Sequence, residues 1–174
     1  MKIKDIYEYL DSISPFELQE KWDNSGLIVG SMNDEFKNVY ITLDLDKEYL
    51  KKVKKGALII THHPLIFKGL KTINDDTYSS KILRILIKRD IKLISMHTNI
   101  DKSHLNKYIM KDILCFEITN KNDFLISAKI DMKFKKFKKL IKEKLYLSFN
   151  KSVKCHKKIK TFYMFMTFYT FGKF

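Results

Sequence analysis

Residues 57–61 read Ala-Leu-Ile-Ile-Thr, an unbroken apolar run set between Gly56 and the pair His62-His63. A short apolar run without polar alternation fits a strand covered on both faces, the situation of parallel sheets flanked by helices. The neighbouring segments agree. Val39-Tyr40-Ile41-Thr42-Leu43 is β-branched and aromatic, and Ile91 to Met96 is a further strand. Between the strands, Asp46 to Lys55 reads as a polar helix closed by Gly56, and Tyr78 to Lys88 as a helix with Ile82, Leu83, Ile85 and Leu86 as its apolar positions. Upstream, Ile3, Ile6, Tyr7 and Leu10 recur at helical spacing, and Pro15 to Lys21 reads as a second short helix. Downstream, Leu105 to Leu114 is helical. Strands alternating with helices predict βαβ units: an α/β fold with a parallel sheet and helices on both faces, filling residues 1–114.

Residues 115–174 differ and are expected to form an incomplete, lysine-rich α/β second half. Phe124 to Ile130 reads as a strand. Lys133 to Leu145 reads as a helix with Phe134, Phe137, Ile141 and Leu145 on one face and lysines elsewhere. The last 14 residues hold seven aromatics and no acid, which fits a terminal strand pair better than a solvated tail.

The net charge of +14 is unevenly placed. Residues 1–101 carry 16 basic and 15 acidic side chains, whereas residues 102–174 carry 18 and 5. Only Arg84 and Arg89 are arginines, and arginine is the usual choice for bidentate phosphate or base recognition. The lysines therefore read as solvated surface, which disfavours a nucleic-acid partner. No apolar stretch approaches the roughly 18–20 residues of a membrane span. The N-terminus lacks an apolar signal core. Two cysteines 40 positions apart make no disulfide scaffold, so a cytoplasmic location without membrane contact is expected.

Three of the five histidines fall at predicted strand ends. His62 and His63 follow the run 57–61, and His97 follows 91–96, with Asp101 four residues on. In open α/β sheets, ligands gather beyond the carboxyl ends of the strands. Adjacent histidines inside a strand point to opposite faces, but at a strand end before Pro64 both rings can turn into one crevice. Two such ligands serve two ions roughly 3.5–4 Å apart more readily than one, and Asp101 is a candidate bridging carboxylate. Nitrogen and carboxylate donors suit Zn, Mn, Fe or Co. Packed structural histidines and a metal-free acid/base site stay open as alternatives. Trp22-Asp23-Asn24-Ser25-Gly26 reads as a capped turn whose Trp22 and Asp23 can line the same crevice. His104 and His156 read as surface. No nucleophile triad and no Gly-rich phosphate loop is legible.

Three segments, Trp22-Asp23-Asn24-Ser25-Gly26-Leu27-Ile28-Val29-Gly30, Thr61-His62-His63-Pro64-Leu65-Ile66-Phe67 and His97-Thr98-Asn99-Ile100-Asp101, resemble in order and spacing the signatures of the NIF-three-like family of dinuclear metal proteins, the GTP cyclohydrolase 1 type 2 homologs. The resemblance covers residues 1–160. It implies an α/β fold with two related halves, a toroidal homohexamer, and two divalent metal ions held in part by His62, His63 and Asp101. His97, Asn99, Trp22 and Asp23 then line the pocket or support the ligands. The family continues further and ends in a His-x-x-x-Glu pair that completes the metal site. This sequence has no such pair, so by resemblance it is truncated at the C-terminus, as a shortened or frameshifted reading frame would be. Weak metal binding is then expected, because each ion lacks the three or four protein ligands usual for zinc. The function implied is a metal-dependent hydrolase of a nucleotide-like small molecule. A non-enzymatic metal-binding or protein-interaction ring, an inactive truncated product and nucleic-acid binding through the basic half are the rivals.

Overall fold

The computed structural model describes residues 1–147 and 158–165 of the 174-residue chain. It divides into two compact units, with the boundary after Ile100.

The first unit is built on a four-stranded sheet of β1 (Gly26–Val29), β2 (Val39–Thr42), β3 (Leu58–Thr61) and β4 (Lys92–Ser95) in the order β1-β4-β3-β2. β2, β3 and β4 are parallel, and β1 runs antiparallel to β4. The sheet is thus mixed, where the sequence pattern predicted a parallel one. β1 is short, and no helix crosses over from it to a parallel partner, so it adds to the edge in the opposite direction. β3 is buried at all four positions. Its alternating side chains split between two cores, as a doubly covered strand requires. Ile59 faces Leu93, Ile82 and Leu86, with Leu50 and Val53 completing that core. Leu58 and Ile60 face Ile94, Ile3, Phe16 and Phe36 on the other side.

Helices cover both faces. α1 (Ile3–Ile13) turns Ile3, Ile6, Tyr7 and Leu10 onto the second core, beside the 3-10 turn Phe16–Leu18. α2 (Lys47–Lys52) and α3 (Tyr78–Lys88) cover the first. Asp46 caps α2 by accepting from the Tyr49 amide, and Thr77 caps α3 by accepting from Ser80. α2 stops at Lys52, three residues short of the sequence expectation. Val53 is already extended, and Gly56 (φ +72°) turns the chain into β3 instead of capping the helix. The Arg89 guanidinium satisfies the α2 carboxyl end, donating to the Leu50 carbonyl at 2.6 Å and also to that of Val53.

The second unit opens on a helical stretch: a π-helical turn Asp101–Leu105, α5 (Asn106–Tyr108) and a second π-helical segment Ile109–Ile113. The chain is therefore helical from α4 (Thr98–Ile100) onward, earlier than the expected start at Leu105. Its sheet is antiparallel, β5-β6-β7, formed by Ile118–Asn122, Leu125–Lys133 and Lys158–Phe165. Ile109, Met110 and Leu114 pack on Ile126, Ala128 and Met164. α6 (Phe134–Lys144) lays Leu140 and Ile141 against this core and buries no residue fully. The aromatic segment after Lys160 supplies one strand, β7. The remainder of the expected strand pair lies outside the described residues, as do Cys155 and His156. Among the described residues, no helix is long and apolar enough to cross a membrane.

Candidate metal centre

Parallel order puts the carboxyl ends of β2, β3 and β4 side by side. The residues that follow those ends are Leu43-Asp44, His62-His63 and Met96-His97. Backbone bonds carry the strand geometry one step past each end: His62 N–H donates to Thr42 O, His63 N–H to Leu43 O, and Met96 N–H to Thr61 O at 2.8 Å. Because β1 is antiparallel, its amino end, with Asp23-Asn24-Ser25 before it, lies at the same end of the sheet, where Gly26 pairs with Ser95. Gly26 has φ +121°, a conformation that lets the turn swing directly into β1 and that side chains other than hydrogen resist.

The three rings converge. Centroids of His62 and His63 are 4.8 Å apart, His62 and His97 5.1 Å, and His63 and His97 5.7 Å. One ring nitrogen from each lies within 4.8 Å of the others. Each Nδ1 also has an oxygen partner that can only accept. His62 Nδ1 is 2.9 Å from the Met96 carbonyl, His63 Nδ1 is 2.7 Å from Asp44 Oδ1, and His97 Nδ1 is 2.8 Å from Asp23 Oδ1. A neutral imidazole carries one N–H. These partners place it on Nδ1 in all three rings, which puts the lone pair on Nε2. Burial, and then the neighbouring His63 and His97 rings, push the His62 pKa down to about 4, so His62 is neutral at physiological pH.

Asp23 holds the arrangement from below. Its side chain is fully buried. It accepts from the His97 ring, from the Thr98 amide at 3.0 Å and the Thr98 hydroxyl, from Ser25 Oγ at 3.1 Å and from the Asn24 amide at 2.8 Å. Burial by itself would raise its pKa. The hydrogen bonds from His97, Thr98 and Asn24 outweigh that and hold the carboxyl far below the usual range.

Of the residues singled out in sequence, His62, His63, His97 and Asp23 meet in one cluster, and Trp22 stands beside it with its ring 6.3 Å from His97. Asn99 is buried, and its amide donates to the Ser14 carbonyl at 2.9 Å. Asp101 is buried and begins the second unit. His104 is exposed. Sequence reading missed Asp44. It stands two positions past β2, just as His63 stands two past β3, so strand-end counting could have found it.

A family model described as Duf34/NIF3 (NGG1p interacting factor 3) matches residues 1–164. A GTP cyclohydrolase 1 type 2 homolog of Campylobacter jejuni is 46% identical over 158 residues, which are 91% of this chain and 66% of that protein. A GTP cyclohydrolase 1 type 2 of Helicobacter pylori is 44% identical over 159 residues, covering 91% of this chain and 65% of its own. The chain thus spans about two thirds of the length of these curated relatives. Among solved structures, a hypothetical protein of Staphylococcus aureus superposes with a TM-score of 0.81 at 25% identity, over 95% of this chain and 71% of that one. Reduced HcgD from Methanocaldococcus jannaschii superposes with 0.70 at 30% identity, over 82% and 60%. Motif, fold and relatives agree: this chain belongs to the Duf34/NIF3 family.

Proposed function

We propose that the chain is a divalent-metal protein and that, in its full-length relatives' framework, the bound ions serve hydrolysis of a nucleotide-like substrate. The observation that supports metal binding is the triad of imidazoles whose Nδ1 atoms are all tied to oxygen acceptors. This is how proteins orient histidines for metal: the outer partner fixes the tautomer and raises the basicity of the inner nitrogen. The donor set therefore fits a borderline cation such as Zn, Mn, Fe or Co. Donors on one tetrahedral zinc stand about 3.4 Å apart, given Zn–N near 2.1 Å. A spacing up to 4.8 Å is wider, and suits rings divided between two ions or closing inward on one. His62 and His63 are proposed as ligands with Asp101, whose support is its place in the His-Thr-Asn-x-Asp motif.

When bound, such ions polarise substrate oxygens and acidify water. The chain's own residues do the rest. Met96 O, Asp44 and Asp23 hold the rings, and the low pKa of His62 keeps that donor unprotonated well below neutral pH. The nucleotide reading rests on the names of the relatives, two of which are called GTP cyclohydrolase 1 type 2.

The test is metal content per chain, by elemental mass spectrometry, after reconstitution with Zn, Mn, Co and anaerobic Fe(II) in turn. One to two ions per chain are expected, with loss in His63→Ala and Asp101→Ala. Content at the level of a chelator-treated blank for every metal would overturn the reading. Hydrolysis of GTP by loaded protein, absent in His63→Ala, then separates an enzyme from a binding protein without turnover.

A further inference from the structure

Two large aromatic side chains stand exposed at the rim of the histidine cluster. Trp22 is 48% exposed and Phe67 44%. Both belong to the first unit, and neither joins its two apolar cores. Their rings touch, with centroids 5.6 Å apart and planes inclined at 50°. Each ring also meets His97 at 6.3 Å, edge to face. The pair is held by polar struts. Asn24 Nδ2, in the turn that carries Trp22, donates to the Ile66 carbonyl beside Phe67 at 2.6 Å. Gln19 brackets the same turn through the Ser25 amide at 2.7 Å and the Ser25 carbonyl at 3.4 Å.

An exposed tryptophan forgoes much of the burial that normally stabilises so large a side chain. Here the turn is fixed by hydrogen bonds that leave the indole outside the core, next to the histidine cluster. A separation of 5.6 Å is that of rings in mutual contact, so no third ring fits between them. Both rings are about half exposed and both stand against His97, so an incoming ring can meet them from the solvent side.

We propose that Trp22 and Phe67 form a stacking platform for a planar heteroaromatic ring, the nucleobase-like part of the ligand, which positions the ligand's reactive end over the histidines. This rests on the metal-hydrolase reading for what happens at the histidines, but ring binding itself needs only Trp22 and Phe67. Aromatic faces stack on any base, so the platform selects for a planar ring and discriminates weakly among purines and pyrimidines.

Trp22 is the single tryptophan of the chain, so its fluorescence reports the platform directly. The test titrates guanosine, and separately ribose 5-phosphate as a ringless control, into chelator-treated and zinc-reconstituted protein. Saturable quenching by guanosine and none by ribose 5-phosphate is expected in at least the reconstituted form. Phe67→Leu keeps the reporter and should weaken guanosine binding roughly 5- to 150-fold, the range for loss of one stacking partner. Trp22→Leu, followed by calorimetry, should do the same. Circular dichroism spectra matching the parent show that both variants fold. Equal response to guanosine and ribose 5-phosphate, no saturable response in either form, or full affinity in a folded Phe67→Leu would overturn the platform. Ring-dependent quenching in protein that takes up no metal would uphold the platform while overturning the metal reading. Metal uptake without ring-dependent quenching would do the reverse.

Discussion

Asp23→Asn should destabilise the first unit by about 3–5 kcal/mol at neutral pH, the range for breaking a buried charged network. The substitution keeps volume and shape, so no cavity enters the estimate. What changes is the hydrogen bonding of a fully buried side chain. Oδ1 accepts from the His97 ring and the Asn24 amide, and Oδ2 from the Thr98 amide and the Thr98 and Ser25 hydroxyls. An asparagine offers one acceptor oxygen. Its NH₂ must then face either the His97 N–H and Asn24 N–H or the Thr98 N–H, and a buried N–H left without an acceptor costs about 1–3 kcal/mol. Loss of charge weakens the remaining bonds, since those to an ionised group contribute roughly 1.5–3 kcal/mol each. The effect also has a pH signature. The native carboxyl titrates well below its unfolded value near 3.9. Its stabilisation is therefore complete above about pH 5 and fades as pH falls below about 4 toward the native pKa. The asparagine variant lacks that dependence, so the gap between the two proteins should narrow on acidification. Urea unfolding followed by Trp22 fluorescence, one residue from the substitution, reads the unit directly. A variant with the parent's midpoint at pH 7, or a gap that stays constant between about pH 6 and pH 3, would refute the account.

Other outcomes follow from the same geometry. In metal-free protein, His62 is neutral in the native state down to about pH 4 while the unfolded ring protonates near 6.5, so stability should fall as pH drops through that window. The slope contribution is at most about 1.4 kcal/mol per pH unit, and His62→Gln should flatten it in pH-dependent urea melts. Asp44→Ala should leave stability within about 1 kcal/mol, because Asp44 is 64% exposed, yet lower metal affinity roughly 10- to 100-fold in competition with a chelator, because it orients His63. Leu86→Ala, which opens the core between α3 and β3, should cost about 2–5 kcal/mol in thermal or urea unfolding with no change in the metal stoichiometry of folded protein. The ring assembly implied by resemblance predicts a solution mass near six times the 20.8 kDa chain by light scattering, and a monomer mass would exclude it.

Much of the first unit was legible because its strands and helices bury themselves in simple patterns. The run 57–61 announced a doubly covered strand, and helix α3 falls on the residues its periodicity marked. The antiparallel direction of β1 was not legible, since Leu27-Ile28-Val29 carries no direction in its composition. Gly56 misled because a glycine after a polar run caps a helix in one context and turns a loop in another. Here the Gly56 amide donates to the Arg89 carbonyl, a partner distant in sequence. The β5–β6 hairpin turns through Asp123 and Phe124, with Asp123 at φ +53°, and its first strand is too polar to stand out. At the site, the histidines were visible because the ends of parallel strands are where α/β sheets place ligands. The partners that fix their tautomers, Met96 O and Asp44 above all, were hidden. A carbonyl has no sequence signature, and an aspartate after a strand looks like any other turn residue.

The uneven charge acquires a physical reading from where the basic groups sit. The two arginines, the residues best suited to phosphate, are both engaged within the first unit. Arg89 closes the end of α2, and Arg84 pairs with Asp75. α6 leans Leu140 and Ile141 on its sheet and buries nothing fully, and Lys135, Lys136, Lys139, Lys142 and Lys144 on it are exposed. One of them, Lys139, pairs loosely with Glu143 at 3.7 Å, the spacing of a solvent-exposed surface pair worth at most about 1 kcal/mol. Lysine heads of that kind contribute charge at the surface without the planar, bidentate geometry that arginine offers a phosphate. The candidate site lies at one end of one sheet, where three strand ends and a turn converge on rings that a carbonyl and two carboxylates hold in place.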